Sequence, residues 1–358
     1  MKPLAMNSMQ RTLAALGGQE PDQVPLFLLT SLQGAREVGT SIRDYYADAG
    51  NVIEGQMRLL RKYRADCLNG FHYASLEMEA WGATTIFADD GPPLCGAPVI
   101  RRPADIDRLQ PPDIATAAGL RRVLTVMQAL KERVGDTVPI IGVAISPFSL
   151  PVMQMGFERY LDLMHEDPAR FDRLMEANIA FCVAWSNAQL AAGATAICYF
   201  DPVSSSTNVP RAQYLRTGQA VAKRTLPQIK GPTATHMASG RCLPILADIA
   251  DTGTAIVGVS ALEDLRELKA AAGGRVSLLG NLNGIEMRRW TAQQAEAEVK
   301  RAIAAAGRGG QFLLGDNHGE IPWQVPDDVL LAIREAVDRW GRYPLDWIEH
   351  PVRARDAR

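Results

Sequence analysis

The chain has 358 residues, of which 47% are hydrophobic and 22% are charged, and its formal net charge at pH 7 is −2. This balance is typical of a globular protein, and the interspersed charges argue against a nucleic-acid or anionic-membrane surface, since both require a basic face. The longest apolar runs, such as VPIIGVAI (138–145), are shorter than the roughly 20 residues that cross a bilayer. The N-terminus lacks the apolar core of a signal peptide, so we expect a cytoplasmic location.

Eight short runs rich in β-branched, apolar and aromatic residues predict strands. Several are apolar on both faces, as parallel strands covered by helices are. In chain order they are VPLFLL (24–29), DCLNGFHY (66–73), VPIIGVAIS (138–146), TAICYFD (195–201), TATHMAS (233–239), TAIVGVS (254–260), VSLLGNLN (276–283) and QFLLGDN (311–317).

Helical patterns lie between these runs, over 51–65, 168–193, 261–274, 291–310 and 325–341. The helix from 168 begins with Pro, which suits a first turn, and the helix from 291 begins with Thr, a good N-cap. The alternation predicts an α/β fold, a (β/α)8 TIM barrel, with an open doubly wound sheet as the alternative. No GxGxxG or Walker motif supports nucleotide binding.

The Pro/Gly-rich stretch 82–112 interrupts this alternation, and it predicts a hairpin and loop over one end of the barrel. Because apolar patterns flank it on both sides, we expect a single domain over 1–358 with its core at about 10–345. The five cysteines are odd in number and none is spaced as CxxC, so we expect neither a disulfide framework nor a thiolate zinc knuckle.

His236 lies in PTATHMASG (232–240), where a β-branched run ends in a small-residue turn. A barrel strand delivers a side chain to the ligand-facing rim in this way. The segment resembles the His-x-Cys-Gly strand end of zinc-dependent, corrinoid-linked methyltransferases in the uroporphyrinogen decarboxylase-like family. Ala238 occupies the cysteine position of that motif.

Other segments resemble landmarks of the same family in the same order, over roughly 10–345. They are LEMEAWGATTIFADDGPP (76–93), ISPFSL (145–150), HEDPARFDRLM (165–175), LLGNLNG (278–284) and GDNHGEIPWQVPDD (315–328). The resemblance implies a barrel and one of two activities. One is cofactor-free decarboxylation of a tetrapyrrole, and the other is zinc-assisted methyl transfer between a corrinoid and an acceptor.

The chain departs from both activities. Where the decarboxylases have an Arg-rich segment, TSLQGAR (30–36) keeps only Arg36, and Met153 replaces an expected tyrosine. A tetrapyrrole with eight carboxylates needs several fixed cations, and this rim offers too few. The chain lacks both cysteines of the methyltransferase pattern, so we expect weak or absent zinc, with His236 and His318 as the candidate metal ligands.

The residues that match family positions or end strands form the candidate site. We assign catalytic roles to His236, His318 and Asp89, and we expect all three to open onto one cavity. Candidate substrate-binding residues are Arg36 as an anion clamp, His72, Glu79, one of Tyr199 and Asp201 by strand alternation, and Asn281.

The leading interpretation is a methyltransferase-like enzyme of one-carbon metabolism. It would move a methyl group between a corrinoid or methylated small molecule and an acceptor. The expected partners are a small-molecule substrate and a corrinoid-binding protein that carries methylcobalamin, with a homodimer as a further candidate assembly. The alternatives are a cofactor-free decarboxylase, in which Asp89 stabilises a cationic intermediate, and a barrel that binds a small molecule without catalysis.

Overall fold

A computed structural model of the protein describes residues 5–70 and 72–348. Eight parallel strands form one curled sheet in the order β1-β10-β9-β8-β7-β6-β5-β2, which confirms the predicted (β/α)8 barrel. The strands of the described residues are β1 (Leu26–Phe27), β2 (Leu68–Asn69), β3 (Thr85–Ile86), β4 (Leu94–Cys95), β5 (Ile140–Ile145), β6 (Ala196–Phe200), β7 (Thr233–His236), β8 (Ile256–Gly258), β9 (Ser277–Leu282) and β10 (Phe312–Asp316).

Helices surround this sheet and bury their apolar faces against it. The α-helices are α1 (Ser8–Leu16), α2 (Gln33–Val38), α3 (Ile42–Ala47), α4 (Ala49–Tyr63), α5 (Ser75–Ala80), α6 (Ala118–Val134), α7 (Pro151–Met155), α8 (Phe157–Glu166), α9 (Pro168–Ala191), α10 (Arg211–Arg216), α11 (Gly218–Thr225), α12 (Leu246–Ala250), α13 (Leu265–Ala272), α14 (Ala292–Ala306) and α15 (Asp327–Trp340). Short 3₁₀ turns occupy Pro103–Arg108, Pro202–Ser204, Leu226–Gln228, Leu243–Ile245 and Glu286–Arg289. Within residues 5–70 and 72–348, every helix is too short or too polar to cross a lipid bilayer.

Local sequence signals explain where the long helices begin. The Asp167 side chain accepts a hydrogen bond from the backbone of Arg170, and Pro168 occupies the first turn of α9. Thr291 and Gln294 form a capping box at the start of α14. The predicted insertion contains the antiparallel hairpin β3–β4, in which Ile86 pairs with Leu94, so the expected hairpin is confirmed.

Strand β2 is only two residues long, so side chains complete the barrel wall beside it. The backbone of Asp66 donates to the Leu26 carbonyl at 2.7 Å, and the Asp66 carboxylate accepts from the Leu26 amide at 2.9 Å. Closer to the carboxyl ends of the strands, the side chain of Gln56 donates to the Thr30 carbonyl at 2.9 Å. It also accepts from the backbone amide of Asn69 at 3.1 Å. Helix α4 therefore supplies the hydrogen bonds that a longer β2 would have made to the chain after β1.

On the other side of β2, the edge of β5 is completed in the same way. The Gln189 side chain exchanges two hydrogen bonds with the backbone of Val143, at 3.0 and 2.9 Å. The Ile145 amide donates to Glu77 Oε1 at 3.1 Å. Glu77 is buried, and this burial raises the pKa of its carboxyl from 4.5 to about 8. The side chain is therefore a neutral acid at pH 7, as a low-dielectric position requires.

The buried carboxyl of Glu77 makes stability depend on pH. Between pH 4.5 and about 8 the folded chain keeps a proton that the unfolded chain releases, so the free energy of unfolding falls as the pH rises. Glu77→Gln keeps an acceptor for Ile145 and removes the titration. In urea titrations we compare the free energy of unfolding of the variant with that of wild type. We expect the variant-minus-wild-type difference to be about 2–3 kcal/mol more favourable to the variant at pH 7.5 than at pH 5.5.

The exposed Glu335 on α15 gives the matched control, because Glu335→Gln removes an acid of the same type from the surface. The stability difference between this control and wild type is expected to stay constant over the same pH range. A constant difference for Glu77→Gln as well would show that Glu77 is ionised in the folded protein.

Candidate functional site

A cavity of about 410 Å³ opens at the carboxyl ends of the barrel strands, within the roughly 300–1,000 Å³ typical of small-molecule pockets. Its wall is mainly apolar, because the inward-facing positions of β5 and β6 and the chain after β1 are apolar. These residues are Leu29, Leu32, Ile141, Val143, Ile145, Cys198 and Phe200. The polar side chains on the lining are Asn69, Arg288, His318, Glu320 and Gln324.

The loop after β10 carries the polar end of the cavity. The Asp316 carboxylate accepts from the amides of His318 at 2.7 Å and Gly319 at 3.1 Å, which folds the loop back over the strand end. Gln33 on α2 anchors the same loop by donating to the Ile321 carbonyl at 2.9 Å. Burial raises the pKa of Asp316 to about 6. The loop is therefore held from both ends at the cavity rim.

Glu320 is the acidic side chain on the cavity lining, and its pKa is shifted towards neutrality. The Ser31 hydroxyl donates to its carboxylate, and the side chain is largely withdrawn from solvent. Burial, together with a smaller contribution from the nearby Asp316 charge, raises the pKa of Glu320 to about 7. A carboxyl with a pKa near 7 exists in both forms at neutral pH, which is what a general acid or base requires.

His318 lies two residues before Glu320 and also lines the cavity. Its Nδ1 is 2.6 Å from the Ser239 hydroxyl, in the turn that follows β7. Burial lowers the pKa of His318, so the ring is neutral at pH 7. The loops after β7 and β10 thus meet at this contact.

His236 ends β7 and lies behind the cavity wall rather than on it. Its ring is buried and stacks on Phe200, a lining residue, with the ring centroids 5.8 Å apart. Burial lowers its pKa to about 4. The backbone amide of Ala238 donates to Nδ1 at 3.0 Å, so the neutral ring carries its proton on Nε2.

The residues around His236 do not fit a zinc ion. One ring nitrogen accepts the Ala238 amide and the other carries the proton, so neither offers a lone pair to a metal. Ala238 brings no thiolate, and its φ of 49° belongs to a tight turn. Within the described ranges, no group of three His, Cys, Asp or Glu side chains is placed to share a metal. Weak or absent zinc in the purified protein remains a prediction.

Asp89 lies at the cavity rim rather than inside it. The side chain is exposed, in the turn of the β3–β4 hairpin. The next carbonyl, that of Asp90, accepts from the Gln324 amide at 2.7 Å, and Pro92 lines the cavity. The expected convergence of three catalytic residues is therefore only partial, with His318 on the lining, His236 behind it and Asp89 outside.

Two further candidates occupy other surfaces. Arg36 stacks on Trp323 and donates to the Trp323 carbonyl, so it anchors the loop between β10 and α15 instead of clamping an anion. Glu79 accepts from the Tyr73 hydroxyl at 3.1 Å and lines a separate groove of about 310 Å³ at the start of α6. Both corrections arise because the folded chain already supplies a hydrogen-bond partner to the charged side chain.

Tyr199 and Asp201 correct the expectation from strand alternation. Inward positions on β6 are Cys198 and Phe200, so the two candidates, which share the opposite parity, both face outward. Tyr199 packs in the apolar layer beneath the helices. Asp201 accepts from the hydroxyls of Ser146 and Ser149 at 2.5 and 2.7 Å, which fixes the turn after β5.

His72 and Asn281 are also buried structural groups. His72 stacks on Tyr46, with the ring centroids 5.3 Å apart, and burial lowers its pKa to about 3. Asn281 donates to the carbonyls of Ser260 at 3.0 Å and Glu263 at 3.2 Å. Neither residue lines the 410 Å³ cavity as the described residues define it.

Sequence reasoning missed Glu320, Ser31 and Arg288. Glu320 follows His318 by two residues in the same strand-end loop, and this position was the available signal. Ser31 follows the first strand at the same rim. Arg288 lies in the MRRW segment (287–290) after β9, where nothing in the sequence distinguishes it from Arg289.

The structure is a (β/α)8 barrel with a cavity for a small molecule at its strand ends, and comparisons with known proteins define the family. The family model described as Uroporphyrinogen decarboxylase (URO-D) matches residues 7–340. The chain belongs to this family. A relative named uroporphyrinogen decarboxylase, from Methylococcus capsulatus, is 27% identical over 92% of this chain and 97% of its own length. Another of that name, from Pelodictyon phaeoclathratiforme, is 30% identical over 69% of this chain and 72% of its own.

Solved structures show the same fold in a protein with a different activity. A methyltransferase from Methanosarcina mazei superposes with a TM-score of 0.80 at 20% sequence identity, covering 93% of this chain and 99% of its own. At this identity the likeness concerns the fold. Family membership therefore places the chain among enzymes whose curated relatives are named uroporphyrinogen decarboxylase.

The orientation of His236 depends on the absence of a side chain at Gly258. A Cβ at that position would lie 2.3 Å from His236 Cδ2 and 2.8 Å from Nε2. We expect Gly258→Ala to displace the imidazole and to lower the free energy of unfolding by about 1–3 kcal/mol, the usual cost of overpacking a core. Nitrogen NMR of the histidine rings would show the displacement as a shifted His236 signal.

Gly91→Ala is the control, because its Cβ would meet no atom within 4 Å. Unchanged His236 resonances in Gly258→Ala would mean that the ring does not lie over β8.

Proposed function

We propose that this protein is a methyltransferase of one-carbon metabolism that works on a small, mainly apolar substrate and uses Glu320 as its proton donor. The observation that carries the proposal is a carboxyl group with a pKa of about 7 on the lining of an apolar cavity of about 410 Å³. The name of the Methanosarcina mazei protein with the same fold supports methyl transfer as the reaction.

The proposed reaction explains why such an acid is needed. When a methyl group leaves an oxygen or nitrogen of the substrate, the electron pair of the broken bond stays on that heteroatom. The methyl carbon forms its new bond with the electron pair of the acceptor. Glu320 transfers its proton to the heteroatom as the bond to the methyl carbon breaks, which lowers the barrier because an anion is poorly stabilised in an apolar cavity.

A corrinoid carried by a partner protein would supply the electron-rich methyl acceptor, or the methyl donor in the reverse direction. The side chains of this chain would hold the substrate and move the proton. Zinc has no part in the proposal, since His236 and Ala238 do not fit it. His318, neutral and paired with Ser239, would orient the leaving heteroatom beside Glu320.

Decarboxylation is the second candidate, and the names of the relatives favour it. The cavity argues against the tetrapyrrole itself. Arg288 is the single cationic residue among the described residues that line it, whereas eight carboxylates would require several. A decarboxylase reading therefore needs a smaller substrate with few carboxylates.

Cob(I)alamin and a panel of methoxylated aromatic compounds test the proposal, with methylcobalamin formation followed by absorbance. We expect turnover to fall as pH rises through about 7, because the acid form of Glu320 is lost. Glu320→Gln should lower the rate by roughly 10²- to 10⁴-fold, the usual contribution of a general acid, and remove this pH dependence.

Glu335→Gln on the surface of α15 is the control and should retain the wild-type rate. Carbon dioxide release from carboxylated substrates without methyl transfer would select the decarboxylase. Methyl transfer that Glu320→Gln leaves intact would contradict the role of Glu320.

A further inference from the structure

Arg288 is a cation at the mouth of the cavity that the proposed chemistry does not use. It lies in the 3₁₀ turn Glu286–Arg289, which follows β9 and brings Ile285 and Arg288 onto the cavity lining. Its Nε donates to the Ile285 carbonyl at 2.9 Å, which fixes the base of the guanidinium. Within the described part of the chain no carboxylate pairs with its guanidinium, and the exposed side chain contributes to the cavity lining.

The charge balance of the cavity points to a ligand with one negative charge. Glu320 is the acid on the lining, and its pKa of about 7 means that the neutral form prevails only below that pH. His318 is neutral because burial lowers its pKa. When Glu320 carries the proton that the proposed reaction needs, Arg288 leaves one uncompensated positive charge beside a wall of Leu, Ile, Val and Phe side chains.

We propose, resting on the proposed function, that the substrate is a small apolar monocarboxylate and that Arg288 binds its carboxylate. A guanidinium matches a carboxylate through two parallel hydrogen bonds, which fixes the orientation of the bound molecule. The apolar body lies against Ile145 and Phe200, and the methylated heteroatom lies towards Glu320. Arg288 is thus a specificity-determining residue, since an uncharged analogue of the same shape loses only this contact.

A pair of ligands of matched shape tests this assignment by calorimetric binding without corrinoid. The probes are 4-methoxybenzoate and 4-methoxybenzamide, which differ in the charge of one group. We expect wild type to bind the carboxylate about 10-fold more tightly than the amide. A fully buried charged pair would give a larger preference, but Arg288 is exposed at the mouth, where solvent weakens the contact. Arg288→Gln should abolish this preference.

Arg289→Gln is the matched control, because Arg289 is exposed on the same turn and does not contribute to the lining. It should keep the preference for the carboxylate. A wild-type protein without the preference, or equal loss in both variants, would overturn the assignment. These outcomes are independent of the methyl-transfer assay, because binding is measured without the reaction.

Discussion

The rest of the structure depends on closing an eight-stranded barrel in which strand β2 has only two residues. Parallel strands normally close a barrel through continuous backbone ladders. Here the Gln56 side chain bridges the end of β2 and the chain after β1, and Gln189 and Glu77 cover the facing edge of β5. Since Asn69, Val143 and Ile145 all line the cavity, the side chains that close the wall also position one side of the site.

Burial then sets the charge state of the site. Asp316 and Glu320 have raised pKa values and His236 and His318 have lowered ones, and in each case the main cause is loss of solvent. Raised acid pKa values and lowered histidine pKa values both reduce the charge that the site carries near neutral pH. Burying a substrate with few charges in such a site costs less free energy than burying a substrate with many carboxylates.

The sequence contained enough information to predict the barrel, because all eight strands lie in short runs rich in apolar residues, most of them with β-branched side chains, and helical patterns separate them. It also predicted that His318 belongs to the loop after the last strand. Strand alternation was applied wrongly to Tyr199 and Asp201, which share one parity, so Cys198 and Phe200 face the cavity instead. Side-chain partners distant in sequence caused the other corrections, such as the anchoring of Arg36 on Trp323.

Glu320 could not be identified from sequence, because its raised pKa comes mainly from burial and its hydrogen-bond partner Ser31 lies 289 residues away in the chain. The same applies to His236. Its position at a strand end is visible in the sequence, but the amide of Ala238 that determines its tautomer is a property of the turn. Ala238 replaces the residue that would make this turn a metal site in the resembling methyltransferases.

We expect this barrel to perform its chemistry with the partly buried carboxyl group of Glu320 and without a zinc ion at His236. The most direct measurement is elemental analysis of the protein purified from its own host without chelators, together with a zinc titration of the same sample. We expect zinc well below one atom per chain and no tight site on titration. Stoichiometric, tightly held zinc that is lost in His236→Ala would contradict this expectation.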